Sequence, residues 1–152
     1  MKKLFSRFLA EGNVSRSLSE MTQNFAAFSF DMRSLHLNVT GNDFLSMHEY
    51  AQEMYEEAEE WYDKFAEMAI SFGEKVTSMN VLPGDWISVE PSPLSSRDCA
   101  VTMLSCVRTL YDRLEAFDGD KYSTFVSSER DAALQWLDKA NYKLTQMTLG
   151  GE

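Results

Sequence analysis

Histidine, proline, cysteine and glycine are all scarce in this 152-residue chain, which holds two, three, two and seven of them. Two cysteines cannot build a disulfide framework. Cys99 and Cys106 lie seven positions apart, two turns along one helix face, or about 10 Å, which is too far for a bond between them. They read as buried, reduced thiols, and that favours a cytoplasmic setting. No run of about eighteen apolar residues occurs anywhere, so no membrane span is expected. The opening MKKLFSRFLAEG begins with basic residues, but Ser6 and Arg7 interrupt the apolar centre that a secretory signal needs. Basic residues are also in short supply, with 14 Lys and Arg against 24 Asp and Glu and a formal charge of −10. A body this acidic repels phosphate backbones and attracts cations.

What remains is an ordinary water-compatible composition, 44% hydrophobic and 25% charged, of a length that suits one domain spanning residues 1–152. With so few helix breakers, four long stretches keep helical periodicity. The first runs from about Ser15 to Leu37, with Val14, Leu18, Met21, Phe25, Phe28, Met32, Leu35 and Val39 spaced alternately four and three apart. VTGND then offers Gly41 as a left-handed C-cap and Asn42 or Asp43 as the next N-cap. The second stretch runs from Asp43 to Phe72 on a seam of Phe44, Met47, Ala51, Met54, Ala58, Trp61, Phe65, Met68 and Phe72, and Gly73 ends it.

All three prolines fall between Glu74 and Ser96, in a long crossover around Trp86 of the kind that joins parallel helices. SSRD offers a capping box from Ser95 to Asp98. The third helix follows to about Phe117, burying Cys99, Met103, Cys106, Leu110 and Leu114. DGD breaks the chain at Gly119. The fourth runs from about Tyr122 to Met147 on Val126, Ala133, Leu137, Ala140 and Leu144, with Trp136 beside them. The fold class expected is all-α, a four-helix bundle with a long crossover between helices 2 and 3.

Both histidines, His36 and His48, flank the first turn, in SLHLNVTGNDFLSMHEY. Eight acidic residues follow within the span from Glu49 to Glu67. Along the second helix His48 and Gln52 are one turn apart, as are Asp63 and Glu67, and none of the four belongs to the apolar seam. His48 and Asp63 stand about 22 Å apart along a straight helix, so no single ion bonded at about 2 Å can touch both. A second copy of the helix, antiparallel across a two-fold axis, would bring His48 of one chain to Asp63 and Glu67 of the other, twice per dimer. His36 would join across the turn, and two imidazoles with two carboxylates suit a divalent iron or zinc-like ion. The residues alone equally suit a solvated acidic face, with the histidines hydrogen-bonded to backbone at a turn.

The stretch from Ser34 to Gly73 resembles the Dps family, the ferritin-like mini-cages. Their signature reads roughly H-W-N-x-x-G-x-x-F-x-x-x-H-E, followed by an Asp and, further along, D-x-x-x-E. His36, Asn38, Gly41, Phe44, His48 and Glu49 match without a gap, and Asp63 and Glu67 match the distal pair. The rest of the chain agrees in length and helix count. The resemblance implies a ferritin-like bundle and a hollow dodecamer built from two-fold dimers. It also implies ferroxidase activity, with Fe2+ oxidised to Fe3+ at inter-subunit sites, usually by peroxide, and ferric iron stored inside. By position, His36, His48, Asp63 and Glu67 become the catalytic and metal-ligating residues, with Gln52 in the metal set. Two departures stand out. Gln52 replaces the Asp four residues after the second histidine, so a neutral oxygen stands where the family has a carboxylate. Leu37 replaces the Trp beside the first histidine. An ordinary ferritin site needs Glu three residues before a histidine, and Arg33 and Leu45 occupy those positions.

The family name implies DNA as a partner. Only Lys2, Lys3, Arg7 and Arg16 form a basic cluster, and Leu4, Phe5, Phe8 and Leu9 interleave with them at helical spacing. A basic amphipathic segment over 1–12, lying on the protein, is favoured over DNA binding. Two other readings stand beside the iron oxidase. One is a Dps-like assembly with impaired ferroxidase activity, acting as a structural, metal-buffering or DNA-compacting particle. The other is a helical interaction module that forms no cage.

Overall fold

In the computed structural model the described residues are 17–76, 86 and 88–149. They form α1 (Leu18–Asn38), β1 (Val39–Thr40), α2 (Phe44–Ser71), β2 (Leu94–Ser95), α3 (Ser96–Ala116) and α4 (Thr124–Leu149). Among them no helix is long and apolar enough to cross a membrane. The N-terminal basic segment, Val14, Pro83 and the final GGE lie outside the described residues.

The seams fill one core. Leu18, Met21, Phe25, Phe28, Met32 and Leu35 of α1 are fully buried, as are Ala51, Ala58 and Phe65 of α2. Cys99, Met103, Leu110 and Leu114 of α3 meet Val126, Ala133, Leu137 and Leu144 of α4 in the same cluster. Phe25 centres an aromatic group, 5.0 Å from the Phe65 ring and 6.5 Å from Trp61. Burial raises the thiol of Cys99 to about 11 and that of Cys106 to about 12, so both are protonated, inert core groups.

The two ends of the α2 seam depart from the expected pattern. Phe44 is 40% exposed and Phe72 46% exposed. Phe44 sits in the first turn, where its ring stacks on His48 at 4.9 Å rather than entering the core. Phe72 is the C-cap, turned out of the seam with its ring edge 5.1 Å from Tyr122.

The helix ends close through specific bonds. Ser17 caps α1 by accepting from the Glu20 N–H at 3.1 Å. The Ser19 N–H donates to Glu74 at 3.0 Å and the Leu18 N–H to the Tyr122 hydroxyl at 3.2 Å, so side chains from two other segments satisfy further free N–H groups of the first turn. Gly73, at φ +78°, ends α2, with Gly73 N–H bonded to Ile70 O and Glu74 N–H to Ala69 O, each at 2.9 Å. Gly41 is left-handed, at φ +103°, but α1 already ends at Asn38 with an extended Val39. Gly41 therefore serves the turn after β1 and not the helix cap. Asp43 occupies the N-cap of α2 without a side-chain cap bond. Of the expected Ser95–Asp98 box, the half in which Ser95 accepts from the Asp98 N–H is formed, at 3.1 Å.

A two-residue parallel ladder, Val39 with Leu94 and Thr40 with Ser95, ties the first turn to the end of the crossover. It brings the starts of α2 and α3 to the same end of the bundle, with Ser96 Oγ donating to Thr40 O at 3.1 Å. Those helices run parallel, as the crossover length demands. Midway, Trp86 Nε1 donates to Asp31 Oδ2 at 2.8 Å and the Val89 N–H to Asp31 Oδ1 at 3.0 Å. Trp86 itself is not helical. Arg113 lies over the Trp86 ring at 5.0 Å and donates to Asn24 Oδ1 at 2.6 Å.

Asp31 is buried, and desolvation raises its carboxyl pKa above the usual 3.8, against the two hydrogen bonds that lower it. Replacing it by Ala leaves two donors unsatisfied and should cost about 1–3 kcal/mol, read as a lower Tm. Because the folded state holds this proton more tightly than the unfolded chain, its favourable contribution is complete below pH 3.8 and is lost as pH rises through the raised value. Thermal melts should therefore show the stability of wild type relative to Asp31→Asn falling as pH rises above about 4, and a difference that grows with pH would contradict this.

Candidate metal centre

His36 lies in the last turn of α1 and His48 near the start of α2, twelve residues on. Their rings stack with centroids 3.7 Å apart and planes 22° from parallel. His36 Nδ1 bonds to the carbonyl of His48 at 2.8 Å, and His48 Nδ1 bonds to the carbonyl of His36 at 2.8 Å. A carbonyl only accepts, so each Nδ1 carries the proton. In the neutral ring the distal Nε2 then holds the lone pair, which is the state a metal ion needs. In metal sites a backbone carbonyl on the other nitrogen commonly fixes the ligand's tautomer in this way.

The clasp is buttressed on both sides. Phe44 stacks outside His48, and the Tyr55 ring meets His36 edge-on at 5.5 Å. The Arg33 guanidinium covers Tyr55 at 4.3 Å and pairs with Glu59, which also accepts from Ser29 Oγ at 3.2 Å. Tyr55 stands seven residues after His48, two turns along the same face, and that spacing is its sequence signal. Nothing in the sequence marks the reciprocal carbonyl bonds, since they exist only once the turn has closed.

The other expected ligands are elsewhere. Asp63 and Glu67 are exposed on α2, about 22 Å and more along the axis from His48. Gln52 is partly buried one turn after His48, and its Nε2 donates to Glu56 Oε1 at 2.8 Å. Glu49 and Glu53 are exposed. Among the described residues, no group of three or more His, Cys, Asp or Glu comes together within the chain to hold a metal ion. One chain therefore brings His36 and His48 together and leaves Asp63 and Glu67 apart. The backbone-bonded turn and the ligand-ready imidazole pair are the same structure.

No family model matches the sequence, and no curated protein matches it. Solved structures do. Antigen TpF1 of Treponema pallidum superposes with a TM-score of 0.76 at 16% identity, over 86% of this chain and 90% of its own. A Listeria innocua Dps, a variant with two histidines replaced by glycine, gives 0.75 at 18% identity over 88% and 92%. The Dps protein of Vibrio cholerae, described as a member of a broad superfamily of ferritin-like diiron-carboxylate proteins, gives 0.70 at 16% over 93% and 89%.

The fold is that of the Dps proteins. This Dps-type bundle carries its histidine pair at the junction of α1 and α2, and Leu37 is 75% exposed beside it.

The tautomer assignment can be read directly. Long-range 1H–15N correlation spectra should place a proton on Nδ1 and none on Nε2 for both neutral histidines, the less common form of a free imidazole. Substituting either histidine by Ala should remove the ring stack but keep the backbone carbonyl that accepts from the other ring, so the remaining histidine should retain its Nδ1 proton. Nε2-protonated rings in the wild type would contradict the clasp.

Proposed function

We propose that this protein is an iron-oxidising and iron-storing mini-ferritin, with ferrous iron as its substrate. The observation that carries the reading is the clasped histidine pair, which fixes two imidazoles for coordination yet, among the described residues, gathers no carboxylate of its own chain into a metal-holding group. Asp63 and Glu67 of a two-fold-related copy would complete each site with His36 and His48, with Gln52 at its edge, and a cage of such dimers, twelve chains in the Dps pattern, would enclose the ferric product. Two ferrous ions give one electron each to a peroxide, which takes up two protons and leaves as two waters. The ferric ions then hydrolyse and deposit inside, which limits oxidative damage. The imidazole pair also accepts zinc. Two buried, protonated thiols suit the reducing cytoplasm, and the acidic body disfavours DNA.

A second reading is favoured by Gln52. Its amide is held by Glu56, and its neutral oxygen cannot balance ferric charge as an aspartate would. In that case the protein is a Dps-like particle with impaired ferroxidase activity that serves as a shell, a metal buffer or a DNA-compacting body.

Anaerobic protein given ferrous iron and then peroxide should develop ferric absorbance, and His48→Ala combined with Asp63→Ala should lose nearly all of it. Equal oxidation by wild type and the double variant would end the proposal. If wild type is slow and Gln52→Asp restores a fast phase, the second reading holds. Sedimentation velocity tests the assembly in the same samples, since a monomer cannot build the site.

A further inference from the structure

The end of the bundle opposite the histidines carries an uncovered apolar patch. Ile70 and Phe72 close α2, and Phe125 opens α4. They are 63%, 46% and 61% exposed. Tyr122 joins the two helices here, with its ring 5.1 Å from Phe72 and its hydroxyl donating to Glu74 at 2.7 Å. The first described residues start at this same place, because the Leu18 N–H donates to that Tyr122 hydroxyl. Whatever precedes Ser17 therefore leaves the bundle beside the patch.

We infer that residues 1–16 of the same chain cover this patch. Leu4, Phe5, Phe8 and Leu9 fall within one arc when the segment is read at 100° per residue, which gives an apolar stripe to set on Ile70, Phe72 and Phe125. Residues 10–16, even partly extended at about 3.3 Å each, give about 20 Å of reach, and the patch begins at the exit point. Charge favours the same contact. The segment holds four basic residues and one acidic, while the rest of the chain holds 10 basic and 23 acidic. Around the exit, Glu20, Glu74, Asp118 and Asp120 outnumber Lys75 and Lys121. The basic segment thus meets an attractive surface of its own chain before it meets any other polyanion.

Trypsin acting on the full chain reads the contact at Arg7. Proteolysis of a docked segment follows its undocked population, so Ile70→Ser with Phe125→Ser should raise the rate of cleavage after Arg7 by about tenfold. Phe5→Ser with Phe8→Ser should do the same, and this pair lies outside the described bundle. Added salt should accelerate cleavage of the wild type. Phe8→Cys with Phe125→Cys should give, on mild oxidation, an internally bridged single chain on a non-reducing gel, and the native cysteines are buried and do not compete. Cleavage at one rate in all three proteins would overturn the inference, whether because the segment is free, because DNA alone protects it, or because a second copy covers the patch. A bridge that forms only between chains would overturn the same-chain contact.

Discussion

Two hydrogen bonds hold the chemistry of this protein in place, the reciprocal pair between the imidazole of His36 and the carbonyl of His48, and between the imidazole of His48 and the carbonyl of His36. Each bond does two jobs. It joins the last turn of α1 to the first turn of α2, and it commits a ring nitrogen to donation, so that in the neutral ring the remaining nitrogen holds the lone pair. Ring stacking at 3.7 Å then removes the rotational freedom that a metal site would otherwise have to overcome on binding. The glycine at Gly41 is needed because the chain must reverse within a few residues for the two carbonyls to face the two rings.

A helix rises about 1.5 Å per residue, and this sets the other limit. No bend within α2 could bring Asp63 to His48, because its hydrogen bonds and buried seam keep it continuous from Phe44 to Ser71. His48, Asp63 and Glu67 of one chain therefore stay at separate stations along the helix. The crossover matters to this arrangement more than its irregular sequence suggests. By clamping Trp86 and the Val89 N–H onto Asp31, and by pairing Leu94 with Val39, it holds α3 parallel to α2 on one side of the bundle. His36 and His48 stay part-buried at the α1–α2 junction.

The seams of all four helices were legible because burial repeats with the helical period, and every interior position from Leu18 to Leu35 and from Met47 to Met68 behaves accordingly. Legibility fails where a residue's partner is another residue far along the chain. Phe44 keeps the period yet leaves the core, since its ring is used by His48. The Asp31 clasp joins positions 55 and 58 apart and has no local signature. The histidine pair was legible as spacing but not as tautomer, and Asp63 and Glu67 were legible as a spaced pair with no means in one chain of showing what they face. Sequence periodicity reports the environment of a residue, whereas chemistry at this site depends on the direction of a lone pair.

Electrostatics connects the two ends of the molecule. The outward residues of α2, Glu53, Glu56, Glu60, Asp63 and Glu67, are exposed along one helix, and their fields add over distances comparable to a Debye length of about 8 Å. Such a surface attracts cations toward the carboxylates and repels a nucleic-acid backbone. It also acts on the chain's own basic residues at 2, 3, 7 and 16, which are tethered within reach of acidic side chains at the far end of the bundle. A tethered cation needs no free ligand concentration to bind, so intramolecular contact precedes any encounter with an external polyanion. The charge distribution that favours cations thus also gives the basic segment its nearest partner.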